Sequence, residues 1–200
     1  MSAPASTPSP ARANAPPPVR VQVQVLSDLH VEFHRDGGAG MIRSLPVLGD
    51  VLVVAGDLAT RTTLEPAVRL LCDRFPEVVY VAGNHEYYGS SLPRVHDTIA
   101  RLAARVRNFR WLHHSAAVVA GLRFGGTPLW FRDHPANEAY AHLLNDFNQI
   151  RDFRSWVSRE NEAGTGFLAG TLPDLDVVVT HHLPAPGSID PAFATSRMKP

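Results

Sequence analysis

The segment Val21-Gln22-Val23-Gln24-Val25-Leu26-Ser27-Asp28-Leu29-His30 sets the interpretation of the rest of the chain. Apolar and polar residues alternate along it, which is the pattern of a strand with one buried face. The segment ends on Asp28 and His30, and side chains two positions apart on a strand point to the same side. A carboxylate oxygen beside an imidazole nitrogen suits a divalent transition metal. A solvated turn would carry the same pair, so this segment alone leaves both interpretations open.

Three further apolar runs end in polar residues of similar kinds. They are residues 50–55 before Gly56-Asp57, residues 77–82 before Gly83-Asn84-His85-Glu86, and residues 175–180 before His181-His182. Helical spacing of apolar residues over 64–75 and 92–106 follows the second and third strands. This order predicts a largely parallel sheet with helices on its faces, in which ligands bind beyond the carboxyl ends of the strands.

The middle of the chain has a different pattern. Residues 109–113, 116–120 and 122–126 are short apolar runs separated by small turns, and they predict antiparallel strands of a second sheet. Residues 127–131 continue that sheet, with Pro128 indicating an edge or an end. Two helices are predicted over 137–150 and 155–169. Residues 31–40 are predicted to be a loop, and residues 41–48 fit no single element.

Composition narrows the class of protein. Lys+Arg and Asp+Glu both number 19, so no net charge attracts nucleic acid or an anionic membrane. No apolar run approaches the roughly 20 residues that span a bilayer, so we expect no membrane partner. The single cysteine, Cys72, excludes an internal disulfide and favours a reducing, cytoplasmic location. Residues 1–18, rich in Pro, Ala and Ser, predict a disordered arm before one domain over 19–200.

The strand ends, taken together, resemble the calcineurin-like metallophosphoesterase superfamily. The matching motifs, in order, are Ser27-Asp28-Leu29-His30, Gly56-Asp57, Gly83-Asn84-His85-Glu86 and Val179-Thr180-His181-His182-Leu183-Pro184. Residues 121–130 are also similar to the central strands of that family. The resemblance implies an α/β (α+β) fold, a two-sheet αββα sandwich. It also implies a metal-dependent hydrolase of phosphomonoesters or phosphodiesters, whose partner is a small phosphoester substrate.

The resemblance assigns a role to each ligand candidate. Asp28 and His30 would hold one metal, Asn84 and His181 would hold a second, and Asp57 would bridge the two. A carboxylate has two oxygens and can hold two cations roughly 3.5–4 Å apart, a separation suited to in-line displacement at phosphorus. The implied cofactors are two divalent ions, Mn²⁺, Fe²⁺/Fe³⁺ or Zn²⁺. They would make a water acidic enough to act as the nucleophile.

The remaining polar residues of the motifs receive supporting roles. His85, with Asp57, is the implied catalytic residue: it would face the scissile phosphate and protonate the leaving oxygen, although a hydrogen bond within its loop would also explain it. Glu86 is expected to orient neighbouring groups or to be solvated. Neighbours at a strand end face opposite sides, so His181 and His182 cannot both be ligands. His181 directly follows the apolar run, and the resemblance implies that the first histidine is the ligand and His182 a supporting residue.

The other histidines are expected to be surface or packing residues rather than ligands. They are His34, His96, His113, His114, His134 and His142. Of these, His113 and His114 come nearest to the ligand pattern, because they end a strand-like run.

One motif of the family pattern, Gly-His-x-His on a later strand, is absent from this sequence. Each metal would then lack one histidine, and we expect a domain that is incomplete at its C-terminus. The second sheet would have an uncovered edge, which invites self-association. The alternative function is a truncated, catalytically impaired remnant that acts as a metal-binding or interaction module. A nuclease is disfavoured because no basic stripe is present.

Overall fold

Two sheets form the centre of the chain. The computed structural model describes residues 20–133 and 135–193, so the predicted arm over 1–18 and His134 lie outside the described residues. The first sheet has the order β1-β2-β3-β4 with all pairs parallel, and the second has the order β5-β6-β7. The strands are β1 (Val23–Leu26), β2 (Val51–Ala55), β3 (Glu77–Val81), β4 (Phe109–Trp111), β5 (Ser115–Val119), β6 (Leu122–Thr127) and β7 (Val177–Thr180).

Helices lie on both sides of the paired sheets. They are α1 (Ala39–Ser44), α2 (Arg61–Arg74), α3 (Leu92–Arg105), α4 (Asp146–Gln149) and α5 (Phe153–Thr171). The apolar faces of α2 and α3, represented by Leu71 and Ile99, pack on Leu52 of the first sheet. Within the described residues, none of these helices has the length and hydropathy that crossing a bilayer requires.

The two sheets pack face to face through a separate apolar cluster. Val53 and Val79 of the first sheet meet Phe124 and Val179 of the second. Alternation along β6 turns Thr127 to the opposite face, where Gly164 of α5 lies against it. The layers are therefore helix, sheet, sheet and helix, which confirms the predicted two-sheet α/β fold.

The prediction for residues 109–113 was wrong. Residues Phe109–Trp111 form β4, which pairs in parallel with β3 through Val78↔Phe109 and so belongs to the first sheet. Helix α3 carries the chain back to the same sheet, as in a parallel β-α-β unit. Three paired residues are too few for a periodic pattern to indicate which sheet they join. Only β5 and β6 form the predicted antiparallel pair, and β7 is parallel to β6.

Three other boundaries differ from prediction. The strand predicted to continue over 127–131 ends at Thr127, because Pro128 has no N–H to donate and Leu129 has a φ of 53°. The helix predicted over 137–150 is a 3-10 segment, Pro135–Leu143, followed by the short α4. The predicted loop over 31–40 contains a 3-10 turn, Val31–Phe33, and residues 41–48 include most of α1.

The buried face predicted for the first strand is only partly buried. β1 is an edge strand, and Val25 is 62% exposed although its alternation places it with Val21 and Val23. Those two valines pack against the cluster between the sheets, whereas no described strand of the second sheet extends beyond β7 to cover Val25. Self-association through the free edge of β7 stays a prediction.

Candidate metal centre

Three of the predicted ligands have a backbone conformation that L-residues rarely adopt. Asp28, His30 and Asp57 have φ values of 56°, 45° and 52°. Such conformations cost about 1–3 kcal/mol each and collect at functional sites, where surrounding structure holds them. Here the N–H of Asp28 donates to the carbonyl of Gly56 at 3.1 Å, and that of His30 donates to the carbonyl of Asp57 at 3.0 Å. The loops after β1 and β2 therefore stabilise each other.

Asp57 is buried in the middle of the site, and its two carboxylate oxygens face different histidines. Oδ2 lies 3.8 Å from Nε2 of His30, and Oδ1 lies 3.5 Å from Nε2 of His181. Both separations exceed the roughly 3.2 Å of an ordinary N–H···O hydrogen bond. Oδ1 also accepts the backbone N–H of His85 at 2.9 Å. The carboxylate is thus held by the backbone while each oxygen points towards an imidazole.

His181 and Asn84 face each other with atoms that both offer electron pairs. Nδ1 of His181 lies 2.9 Å from the carbonyl of Ala55, which only accepts, so Nδ1 carries the proton. Nε2 of a neutral His181 then presents a lone pair to Oδ1 of Asn84, 3.0 Å away. Only a proton on Nε2, which makes the ring an imidazolium, or a bound cation removes the repulsion between the two lone pairs. This pair is therefore the arrangement expected of two ligands of one metal.

His30, Asp57 and His85 form one compact group of potential ligands. One ligand atom from each lies within 4.8 Å of the others. Asp28 lies on the exposed side of this group, because its side chain is 56% exposed and its Oδ2 accepts the Ser27 hydroxyl. Its Oδ1 is 3.8 Å from Nε2 of His30, the same distance as Oδ2 of Asp57. The structure thus brings His30, Asp57, Asn84, His85 and His181 together and leaves Asp28 at the outer margin.

Two glycines permit this close approach. A Cβ on Gly56, whose φ is 89°, would lie 2.6 Å from Cγ of His181 and 2.9 Å from Cα of Gly83. A Cβ on Gly83 would lie 2.6 Å from the backbone nitrogen of Asp57 and 2.8 Å from Cε1 of His181. Any side chain at either position would displace the proposed ligands.

Comparison with known proteins identifies the family of this chain. The calcineurin-like phosphoesterase family profile matches residues 22–198. The chain belongs to this family. A solved structure, the phosphopantetheinyl hydrolase from Mycobacterium tuberculosis, matches with a TM-score of 0.54 and 18% identity over 81% of this chain and 68% of that chain, a likeness in fold alone. The search of curated proteins found no match.

Membership of the calcineurin-like phosphoesterase family supports a phosphoester hydrolase that uses divalent metals. The donor set of this structure fits such ions independently of the family. The opposed lone pairs of His181 and Asn84 need a cation or a proton between them. Nε2 of His30 lies 3.8 Å from carboxylate oxygens of both Asp28 and Asp57, beyond hydrogen-bond distance of either. Imidazole, carboxylate and amide donors together suit manganese, iron or zinc.

Glu86 is the residue that joins the two central loops of this calcineurin-like centre. It is fully buried, so the solvated alternative is excluded. Its carboxylate accepts backbone N–H groups of Asp57 at 3.2 Å, Leu58 at 2.8 Å and Gly83 at 2.7 Å. Burial, together with the nearby charge of Asp57, raises the pKa of Glu86. Glu86 therefore fixes the ligands' backbone.

Sequence reasoning missed the two residues that orient Asn84. Nδ2 of Asn84 donates to Oδ1 of Asp146 at 2.8 Å and to the hydroxyl of Tyr88 at 3.0 Å. The Tyr88 hydroxyl also donates to Oδ1 of Asp146 at 2.8 Å. Burial raises the pKa of Asp146, while the hydrogen bonds from Asn84 and Tyr88 act against that rise. Asp146 begins α4, and no local pattern links it to a strand end 62 residues away.

Glu32 is a third residue that the sequence did not reveal. Its Oε1 lies 2.7 Å from Nδ1 of His85 and 3.5 Å from Nδ1 of His30. Glu32 lies two residues after His30, just as His30 lies two residues after Asp28. This regular spacing is the only sequence signal that points to Glu32. The carboxylate therefore fixes the orientation of the His85 ring through Nδ1.

His182 points away from the centre, as expected for the neighbour of a ligand. Its ring lies 4.9 Å from that of Trp130 and 6.1 Å from that of Phe131. Burial, and the neighbouring His181, lower the pKa of His182 to about 3. It is therefore neutral at physiological pH and packs behind His181, 4.9 Å from it between ring centroids.

Two clefts open on the site from different sides. The larger, about 1050 Å³, is lined by Asp28 and His181 from the centre, by His182 beside them, and by apolar side chains that include Trp130, Phe131 and Leu183. The smaller, about 550 Å³, is lined by Glu32, His85 and Tyr88. A ligand in the larger cleft would have its polar end at the centre and the remainder against aromatic rings.

Proposed function

We propose that this chain hydrolyses phosphomonoesters or phosphodiesters at a dinuclear metal centre. Asp28 and His30 would hold one ion, Asn84 and His181 the other, and Asp57 would bridge them. The observation that carries the proposal is the position of Asp57, whose Oδ2 faces His30 while Oδ1 faces His181. Two bound divalent ions would polarise the phosphoryl oxygens and supply an acidic water at neutral pH.

The residues of the chain contribute orientation and proton transfer. Glu86 and the Gly56 and Gly83 positions keep the carboxylate of Asp57 in one place, so little reorganisation is needed when a substrate binds. Nδ1 of His85 is bonded to Glu32 at 2.7 Å, which leaves Nε2 as the atom that would transfer a proton to the leaving oxygen.

The larger cleft supports a substrate with an apolar or aromatic organic group. Its walls include Trp130, Phe131 and Leu183, and its floor includes His181. A phosphate at the centre would place the ester's organic part against these side chains. Free inorganic polyphosphates would leave that surface without a partner.

The direct test is metal-dependent turnover by the purified full chain. After dialysis against a chelator, the protein with added Mn²⁺ should hydrolyse p-nitrophenyl phosphate or its bis-aryl diester. Asp57→Asn should lose at least about 100-fold in kcat, because a bridging charge is removed. The matched control is Asp97→Asn, whose side chain is 61% exposed and pairs only with Arg101 on the same helix. Equal rates with and without metal would end the proposal.

The second candidate is a metal-binding remnant without turnover. The exposed position of Asp28 favours it. It predicts that metal analysis finds Mn²⁺ bound in an Asp57-dependent manner while no aryl ester is hydrolysed. Metal content and turnover measured on one monodisperse sample separate the two candidates.

A further inference from the structure

A second cluster of potential ligands lies outside the phosphoesterase centre. His113 and His114 occupy the connection between β4 and β5, and Glu160 lies on α5. Oε2 of Glu160 is 3.0 Å from Nε2 of His113 and 3.1 Å from Nε2 of His114. One ligand atom from each residue lies within 4.8 Å of the other two. Two imidazoles thus converge on one carboxylate oxygen.

The surrounding structure orients both rings. Nδ1 of His114 lies 2.9 Å from Oγ1 of Thr127, and that oxygen also accepts the N–H of Leu129 at 3.1 Å. With its Nδ1 proton donated to Thr127, His114 presents Nε2 as an electron-pair donor towards Glu160. The ring of His113 is stacked at 5.6 Å on Trp111, which restricts its rotation.

Helix α5 comes unusually close to the strands at this place. Gly164 lies one turn beyond Glu160, and there is no space for a Cβ at this position. Such an atom would lie 2.6 Å from Oγ1 of Thr127 and 3.3 Å from Cε1 of His114. The approach allows Glu160 to reach both imidazoles while the three side chains keep only 16–17% of their surface exposed.

Hydrogen bonds do not satisfy every polar atom of the cluster. Nδ1 of His113 is buried without a hydrogen-bond partner among the described residues.

We propose that His113, His114 and Glu160 form a second, separate divalent-metal site of the zinc class. Two imidazole nitrogens and one carboxylate oxygen are a ligand set that Zn²⁺ uses, with the remaining position left to water. The adjoining His96 is not part of the set, because its Nε2 is bonded to the hydroxyl of Tyr87 at 3.1 Å. A bound ion would fasten α5 to the β4–β5 connection.

The test compares Zn²⁺ binding in chains that differ at this cluster. The full chain, without a histidine tag, and its Glu160→Gln variant are dialysed against Zn²⁺ and analysed for bound metal. The comparison is repeated with His30→Asn and His181→Asn present, which removes proposed ligands of the phosphoesterase centre. In both backgrounds Glu160→Gln should bind one ion fewer per chain. Loss of an outer partner weakens metal sites about 10–100-fold, so loss of a ligand should cost at least about 100-fold in affinity.

The control variant is Glu162→Gln, two residues along α5, whose side chain is 59% exposed and pairs with Arg132. It should leave the metal content unchanged. If Glu160→Gln binds as much Zn²⁺ as the unmodified chain, the cluster is only a hydrogen-bonded network and the proposal is overturned. Failure of the phosphoesterase proposal would not produce that result.

A measurement without mutation covers the case of a variant that does not fold. Diethyl pyrocarbonate modifies unprotonated imidazoles, and peptide mass spectrometry locates the products. Zn²⁺ should slow modification of His113 and His114 at least about 10-fold, since their Nε2 atoms are occupied, and should leave the exposed His34 unaffected. Unchanged rates at His113 and His114 would contradict the proposal.

Discussion

His181 and Asn84 are 97 residues apart in the chain, yet Nε2 of the imidazole lies 3.0 Å from Oδ1 of the amide. Asn84 follows β3 of the first sheet and His181 follows β7 of the second. The proposed second ion would therefore bind across the junction of the two sheets. The site can therefore assemble only when the two sheets pack together. Each sheet positions just one of these two ligands.

The support of Asn84 by Asp146 can be tested through metal affinity. Asp146→Ala removes the acceptor that holds Nδ2 of Asn84 at 2.8 Å, so the amide is free to rotate away from His181. The Mn²⁺ concentration for half-maximal activity should rise about 10–100-fold, with kcat at saturating metal largely kept. Asp174→Ala, at an exposed position, is the control. An unchanged metal requirement would remove Asp146 from the site.

Removal of the His85 imidazole should affect turnover rather than metal binding. His85→Asn should lower kcat about 10²–10⁴-fold, the range for general acid–base catalysis, with the metal content unchanged. Its ring is, however, within 4.8 Å of ligand atoms of His30 and Asp57, so a loss of metal would identify it as a ligand instead. The variant His34→Asn, at an exposed histidine, should match the unmodified chain in both measurements.

Gly56 should be irreplaceable even by alanine. The φ of 89° is unfavourable for a side chain, and the added Cβ would lie 2.6 Å from Cγ of His181. Gly56→Ala should destabilise the fold by about 2 kcal/mol or more and abolish metal-dependent activity. Gly166→Ala on α5 meets no atom within 4 Å and should stabilise by about 0.5–1 kcal/mol. Urea unfolding measures both, and equal effects of the two substitutions would contradict the packing described here.

His96 should make the fold sensitive to mild acid. Burial, and then the neighbouring His113, lower the pKa of His96 from 6.5 to about 4, with Glu160 acting in the opposite direction and His114 reinforcing the shift. Its other neighbour, Tyr87, is joined to it by a hydrogen bond. As pH falls from 6.5 towards 4, the unfolded chain binds a proton that the folded chain does not, so stability is lost across that window.

The size of that loss follows from the pKa difference. Each pH unit within the window costs about 1.4 kcal/mol, so roughly 2–3 kcal/mol should disappear between pH of about 7.5 and about 4.5. Urea unfolding in the presence of a chelator should show this loss in the unmodified chain. In the His96→Gln variant, the part of this stability loss that comes from the His96 imidazole should disappear. An identical pH dependence in both chains would show that folding does not lower the pKa of His96.

The fold could be predicted where the sequence carries a periodic pattern of sufficient length. Residues 64–75 and 92–106 show helical spacing and lie in α2 and α3. The apolar runs before Asp57 and Asn84 are buried strands because helices and a second sheet cover both their faces. β4 could not be placed, since membership in a sheet is decided by the route of the chain and not by three residues.

The residues of the candidate site also fall into those that the sequence could predict and those that it could not. His30, Asp57, Asn84 and His181 follow strands directly, and parallel strands bring their carboxyl ends to one edge. Glu86, which directly follows Asn84 and His85, was expected to orient neighbouring groups. Two other supports, Asp146 and Glu32, were not predicted, because they lie in short helical segments that no periodic pattern marks. The cluster of His113, His114 and Glu160 required α5 to be positioned over Thr127, which only the packing of Gly164 makes possible.

The most direct test of the account is anomalous diffraction from crystals of the full chain grown with Mn²⁺. We expect two anomalous peaks flanking the carboxylate of Asp57, one towards His30 and the other between Asn84 and His181. A map with no peak within bonding distance of Asp57, in crystals that diffract well enough to show its side chain, would contradict the proposed dinuclear centre.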